Sequence, residues 1–216
     1  MGTSRSDDPT PAAMIDLAPP SAAETEAILA LLPELAEIAD ADARARCVRV
    51  WAAAVRGGNW PDARHSPTLP QVPIGPDTNL VAHTRRVMRA CADVARAIGH
   101  AGVVPDIDRL LEAAVLHDVA KLVEYEPTEG GGFGLSAIGR SLPHAAVGAQ
   151  WALAVGSPPE VARAIYVHTP QVAAVPETIE AVILFAVDQV DADASRISVG
   201  AAPSTKRAML GGATTR

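Results

Sequence analysis

A histidine and an aspartate sit side by side in an otherwise apolar helical run, Leu116-His117-Asp118-Val119-Ala120-Lys121. An imidazole and a carboxylate lose their hydration when buried, and without partners that loss is costly. Any fold that buries this run must bring compensating groups to it. His83, His144, His168 and Asp188 stand at intervals along the chain as candidate partners. The six residues read as the ligands of one dinuclear metal site, and the rest of the chain as the scaffold that gathers them.

Helical periodicity supports this reading. His83 falls on the stripe Leu80, Val87, Cys91, Val94, Ile98 of a helix running from Asn79 to about Gly99, with Asp77 or Thr78 as its cap. Asp106 caps the central helix, on which Leu110, Ala114, His117 and Lys121 share a face. His117 and Asp118 lie ~100° apart around an α-helix axis, so both reach one groove. Pro143 opens the helix that carries His144, with Val147, Gly148, Trp151 and Val155 on its stripe. Ser157-Pro158-Pro159-Glu160 reads as a capping box with early prolines, and His168 shares the inner face of its helix with Val161 and Ile165. The last helix starts at Pro176-Glu177-Thr178, runs through Ile179, Val182, Ile183, Ala186 and Val190, and carries Asp188. No segment reads as a strand, so the expected class is all-α.

Five segments follow from these signals. Residues 1–20, rich in Pro, Ser, Asp and Ala, form a disordered leader. Residues 21–58 form an N-terminal helical cap. It opens on the capping box of Ser21 and Glu24, continues through Ile28, Leu31, Leu32, Leu35 and Ile38, and ends with a second helix stopped by Gly57-Gly58. Residues 59–76 form a rigid extended linker with Pro61, Pro67, Pro70, Pro73 and Pro76; His65 within it reads as solvated, as does His100 in a later turn. Residues 77–196 hold the metal-binding catalytic domain, and 197–216 a flexible tail. Between the central helix and the helix opened by Pro143, residues 126–142 contain Gly130-Gly131-Gly132 and Gly134, lack a sustained apolar period, and read as a flexible lid or a disordered loop. These glycines do not make a phosphate-cradling loop, because no strand precedes them and no Gly-Lys-Ser/Thr follows.

Composition excludes several alternatives. The formal charge of −7 disfavours non-specific nucleic-acid binding, which needs a basic face. No run approaches the ~20 apolar residues of a membrane span. No signal peptide is evident, and Cys47 and Cys91 read as buried free thiols of a reducing compartment, so a cytoplasmic location is expected. Imidazole with carboxylate suits Fe or Mn first, with Co, Ni or Zn as further candidates, and disfavours Ca or Mg alone. The Ala-rich N-terminal helices are candidates for a homodimer surface.

The order His83, His117-Asp118, His144, His168, Asp188 resembles the HD superfamily of metal-dependent phosphohydrolases. That resemblance implies an HD-domain helical bundle, here with an extra N-terminal helical pair. It also implies that His83, His117, Asp118 and Asp188 hold one divalent metal and that Asp118, His144 and His168 hold a second. The runs His117-Asp118-Val119-Ala120-Lys121, His168-Thr169 and Ile183-Leu184-Phe185-Ala186-Val187-Asp188 are similar to bacterial diadenosine tetraphosphate hydrolases of that superfamily. After Asp188 the chain departs from them, lacking their proline and arginine spacing.

The expected activity is hydrolysis of a phosphoester or phosphoanhydride in a small phosphorylated molecule or nucleotide. Asp118 and Lys121 are the catalytic candidates, and Lys121 and Arg140 the candidates for binding a phosphate oxygen, with Arg196 weaker. Two other readings stand beside it. Mixed-valent di-iron oxygenases of similar ligand set, such as myo-inositol oxygenase, use four His and two Asp. A helical module with merely core histidines would hold no stoichiometric metal.

Overall fold

The computed structural model describes residues 15–99 and 102–204. The fold is mostly helical, as expected. Leader residues 1–14, His100 and tail residues 205–216 lie outside the described residues.

Helix α1, Ala22–Leu31, begins on the reciprocal Ser21–Glu24 capping box. The apolar stripe continues through Leu32, Leu35 and Ile38, all buried, yet the α-helix does not. Pro33 has no N–H to give and crowds the preceding turn, so Pro33–Glu37 forms a 3₁₀ turn instead. Helix α2, Ala41–Gly57, is capped by Asp40. It packs against α1 and against α4, Ile107–Leu116. One apolar core runs without interruption from Ile15 to Val187. The N-terminal pair therefore shares its interior with the histidine-bearing helices.

The central packing involves α3, Leu80–Ile98, α4, α8, Pro159–Val167, and α9, Ile179–Ser198. Helix α7, His144–Ala154, lies against α8. A Cβ on Gly148 would stand 3.4 Å from Leu116 O and from an Ile165 methyl, so glycine lets α7 approach the end of α4 closely. Asn79, not Asp77 or Thr78, caps α3 by accepting from Ala82 N. On α9, Val182 and Val190 face outward, contrary to the stripe read from the sequence. Ser157 makes no capping box for α8; its hydroxyl donates to Glu112 Oε1 at 2.6 Å.

The 126–142 stretch differs from expectation. Tyr125–Pro127 and Phe133–Leu135 form β1 and β2 of a small antiparallel hairpin, with Tyr125 opposite Leu135 and Pro127 opposite Phe133. Gly131 and Gly132, both at positive φ, make its turn, a backbone conformation that glycine adopts without strain. A short helix, α6, Ala137–Ser141, follows under a Ser136 cap, and α5, Lys121–Glu124, precedes the hairpin. The proline-rich linker is not extended. It turns through a 3₁₀ segment at Ala63–His65, buries Ser66, Pro67 and Thr68, and joins α3 through a bridge between Pro67 and Asn79. His65 is exposed.

Buried polar groups fix how these elements meet. Glu112, 1% exposed on α4, accepts two bonds from Arg46 of α2, Nε at 2.8 Å and Nη2 at 2.7 Å. Trp51 Nε1 donates to Val115 O at 2.8 Å. Cys47 and Cys91 are free and fully buried. Removing Arg46 strands a buried carboxylate that keeps the Ser157 hydroxyl as a donor. Arg46→Met is expected to destabilise the fold by roughly 3 kcal/mol. Adding Glu112→Leu should recover much of that loss, and urea unfolding of the single and double variants measures both.

Candidate metal centre

Helix α4 ends at Leu116, one residue before the His-Asp pair. From there the backbone bonds tighten to i→i+3: Val119 N to Leu116 O, Lys121 N to Asp118 O and Leu122 N to Val119 O. Each residue then turns the chain by ~120° rather than ~100°. The expectation that Lys121 follows His117 on one α-helical face is corrected accordingly. Lys121 aligns with Asp118, and its Nζ donates to Asp118 Oδ2 at 2.6 Å and to Thr68 O at 2.8 Å. It is 7% exposed, so it does not extend to solvent.

The other five predicted ligand side chains converge around Asp118. Its Oδ2 lies 3.2 Å from His83 Nε2 and 3.4 Å from His117 Nε2. Asp188 Oδ1 completes that group, 3.2 Å from His83 Nε2 and 3.6 Å from His117 Nε2. On the other side, Asp118 Oδ1 lies 3.2 Å from His144 Nε2 and 3.4 Å from His168 Nε2. All six are buried. The carboxylate of Asp118 thus belongs to two ligand groups at once, His83–His117–Asp118–Asp188 and Asp118–His144–His168.

The opposite ring nitrogens explain why the Nε2 atoms point this way. His117 Nδ1 donates to Ala114 O at 2.7 Å and His168 Nδ1 to Ile165 O at 2.5 Å. A carbonyl can only accept, so these two Nδ1 atoms carry the protons and Nε2 is left with a lone pair. His83 Nδ1 meets Asp191 Oδ2 at 2.7 Å, and Asp191 is itself held by Arg86 through Nε at 2.6 Å and Nη2 at 2.9 Å. His144 Nδ1 meets Glu124 Oε1 at 3.0 Å, and the same oxygen accepts from His144 N at the start of α7. A carboxylate there also suits the positive end of the helix.

This donor set fits divalent transition metals. Lone pairs facing carboxylate oxygens at these separations repel unless positive charge lies between them. Two ligand atoms ~2.1 Å from a shared ion at tetrahedral or octahedral angles stand ~3.0–3.4 Å apart, close to the separations found. Asp118 Oδ1 is buried and accepts no hydrogen bond, a vacancy in its bonding that a cation would fill.

Without a cation, protons supply the charge. Burial lowers the His117 pKa, but the carboxylates of Asp118 and Asp188 outweigh it and raise it to about 9. The same contest, with Asp118, Asp188 and Asp191, lifts His83 well above the ordinary histidine range. Burial wins at His168, whose value falls. Burial pushes Asp118 up, yet Lys121 and His117 hold it well below the usual carboxylate range.

Residues 80–193 match the HD domain family model. The chain belongs to the HD domain family. No solved structure matches it. Among the described residues no helix is long and apolar enough to cross a membrane.

Two sequence candidates sit elsewhere. Arg140 is exposed, donates to Leu135 O, and does not line the cavity above the six residues. Arg196 does line that cavity, paired with Asp193 at 2.7 Å, and Ser204 N donates to the same Asp193 oxygen. The sequence analysis missed Asp191, Arg86 and Glu124. Helical spacing carried a signal for the first two, since Arg86 follows His83, and Asp191 follows Asp188, by three residues. Nothing local marked Glu124, which reaches His144 only through the fold.

Metal binding must displace the proton that His117 holds up to about pH 9. Affinity therefore rises with pH through that window. In the metal-free protein, the stabilisation from charged His117 is complete below ~6.5 and is lost as pH rises through about 9. The increase in Tm produced by Mn²⁺ is expected to grow from pH 6.5 toward 9 while the metal-free Tm declines, as thermal melts at matched ionic strength will show.

Proposed function

We propose that this HD-domain protein is a metal-dependent phosphohydrolase that cleaves a phosphoester or phosphoanhydride of a small molecule or nucleotide. The observation that carries the reading is the division of Asp118 between two ligand groups beneath one small cavity. A single carboxylate serving both sides would suit a pair of cations, the kind of site used for in-line displacement at phosphorus. Divalent ions held there, Fe or Mn before Co, Ni or Zn, would supply an acidified water and a positive clamp for phosphoryl oxygens.

The chain's own residues do the rest. Asp118 holds both ligand groups in register. Lys121 fixes the Asp118 carboxylate through one N–H and is itself fixed by Thr68 O through a second. An ammonium has three donors, so one remains for a substrate oxygen, and Lys121 lines the cavity. Asp191 and Glu124 orient His83 and His144, an arrangement whose loss commonly costs ~10–100-fold in metal affinity or activity. The cavity is about 100 Å³. That is below the ~150 Å³ of a cavity that takes up a benzene ring, so it admits a phosphoryl group rather than a ring system. The remainder of the substrate lies outside.

Asp118→Asn is expected to remove most bound metal and all measurable phosphate release. Lys121→Met should retain metal, by elemental analysis, while lowering kcat by at least about a hundredfold, in the range set by removal of one preorganised donor. Phosphate release with Mn-loaded protein supports the hydrolase. Oxygen uptake by the anaerobically reconstituted iron protein, without phosphate release from any phosphoester or dinucleoside polyphosphate, would assign the site to oxygenase chemistry instead.

A further inference from the structure

A second cavity, of about 530 Å³, adjoins the one above Asp118 and shares Pro70, Tyr125 and Gln171 with it. We propose that this cavity binds the organic part of the substrate, and that this part carries an aromatic ring close to the scissile phosphorus. The inference rests on the phosphohydrolase reading for the position of that phosphorus.

Size is the first argument. The inner cavity admits a phosphoryl group and no ring system, whereas ~300–1,000 Å³ is the ordinary range for a small-molecule site. Continuity is the second. The three shared residues form a common wall, so a group attached to a phosphorus above Asp118 enters the outer cavity directly.

The chemistry of the wall is the third. Tyr125 and Phe133 stand edge to face, with ring centroids 5.5 Å apart and planes at 80°. This aromatic pair lines the cavity with Leu135, Leu142 and Pro143. Leu135 and Leu142 are 43% and 50% exposed, so apolar surface is left uncovered at the rim. An aromatic ring covers such a wall and gains further from the edge-to-face geometry. Arg140 also lines it; its Nη1 donates to the Leu135 carbonyl, and the guanidinium offers further N–H groups and a cationic face to a ring or an anionic substituent on it.

The local backbone is built to hold this wall. A Cβ on Gly139 would lie 2.2 Å from Glu124 O, so α6 presses directly on the chain that carries Glu124 and Tyr125. Ser136 ties the two further, its N donating to Glu124 O and its hydroxyl to Val123 O at 2.6 Å. The hairpin and α6 therefore form a fixed flank of the metal site.

The test compares phenyl phosphate with ethyl phosphate on the Mn-loaded full chain. Two variants, Phe133→Ala and the rim change Leu142→Asp, avoid the six metal-site residues, and unchanged metal content and Tm confirm their integrity. Each is expected to raise KM for phenyl phosphate by about tenfold while KM for ethyl phosphate stays within about twofold; tenfold corresponds to ~1.4 kcal/mol of lost contact. Parallel changes for both substrates, or none for either, overturn the proposal. Calorimetry with phenylphosphonate, which is not hydrolysed, separates the two readings. Binding that the same variants weaken supports the ring subsite even if no phosphate is released, and then only the hydrolase reading fails. Absence of phenylphosphonate binding to a protein that does hydrolyse ethyl phosphate overturns the subsite alone.

Discussion

An ionised carboxylate with almost no exposure to water governs this structure. Asp118 is 1% exposed and sits among four imidazoles, with one oxygen that accepts no hydrogen bond. The desolvation of such a group runs to several kcal/mol and must be met by positive charge. Lys121 brings a fixed share, and the remainder is left to protons or metal ions. Protons on His83 and His117 meet that remainder when the protein stands alone, and the same groups could hold cations in their place.

The fold meets that demand by breaking regularity where regularity would fail. An α-helix continued through residue 121 would place Lys121 over His117. The switch to i→i+3 bonding at Leu116 places it over Asp118 instead. The linker abandons its extended form to bring Thr68 O to the same ammonium. A glycine on α7 allows the end of α4 close enough for His144 and His117 to share one interior. Each device is local, and each acts on the same few cubic ångströms around Asp118.

Much of this was legible in the sequence. The 3.6-residue stripes marked His83, His144 and His168 as inward, and the cost of desolvation marked the His-Asp pair. The capping residues Ser21 and Asp106 fixed helix starts because their chemistry is local. What escaped has a common physical origin. Pro33 and the turn after Leu116 change helix type without changing the apolar pattern. The hairpin is three residues a side, too short for alternation to register. Glu124 and Glu112 find their partners across 20 and 66 residues of chain, a pairing that only tertiary structure supplies. Arg140 lies near His144 in sequence, but α6 directs it to the neighbouring cavity.

The two cysteines of α2 and α3 have a use unrelated to chemistry at the centre. Both are sealed in the core, and burial pushes the Cys91 thiol up to about 12. A thiol so placed reacts with an alkylating reagent only when its helix comes away from its neighbours. The rate of that reaction is a native gauge of how often the α3 wall beside His83 opens. It requires no introduced label and leaves the six central side chains untouched.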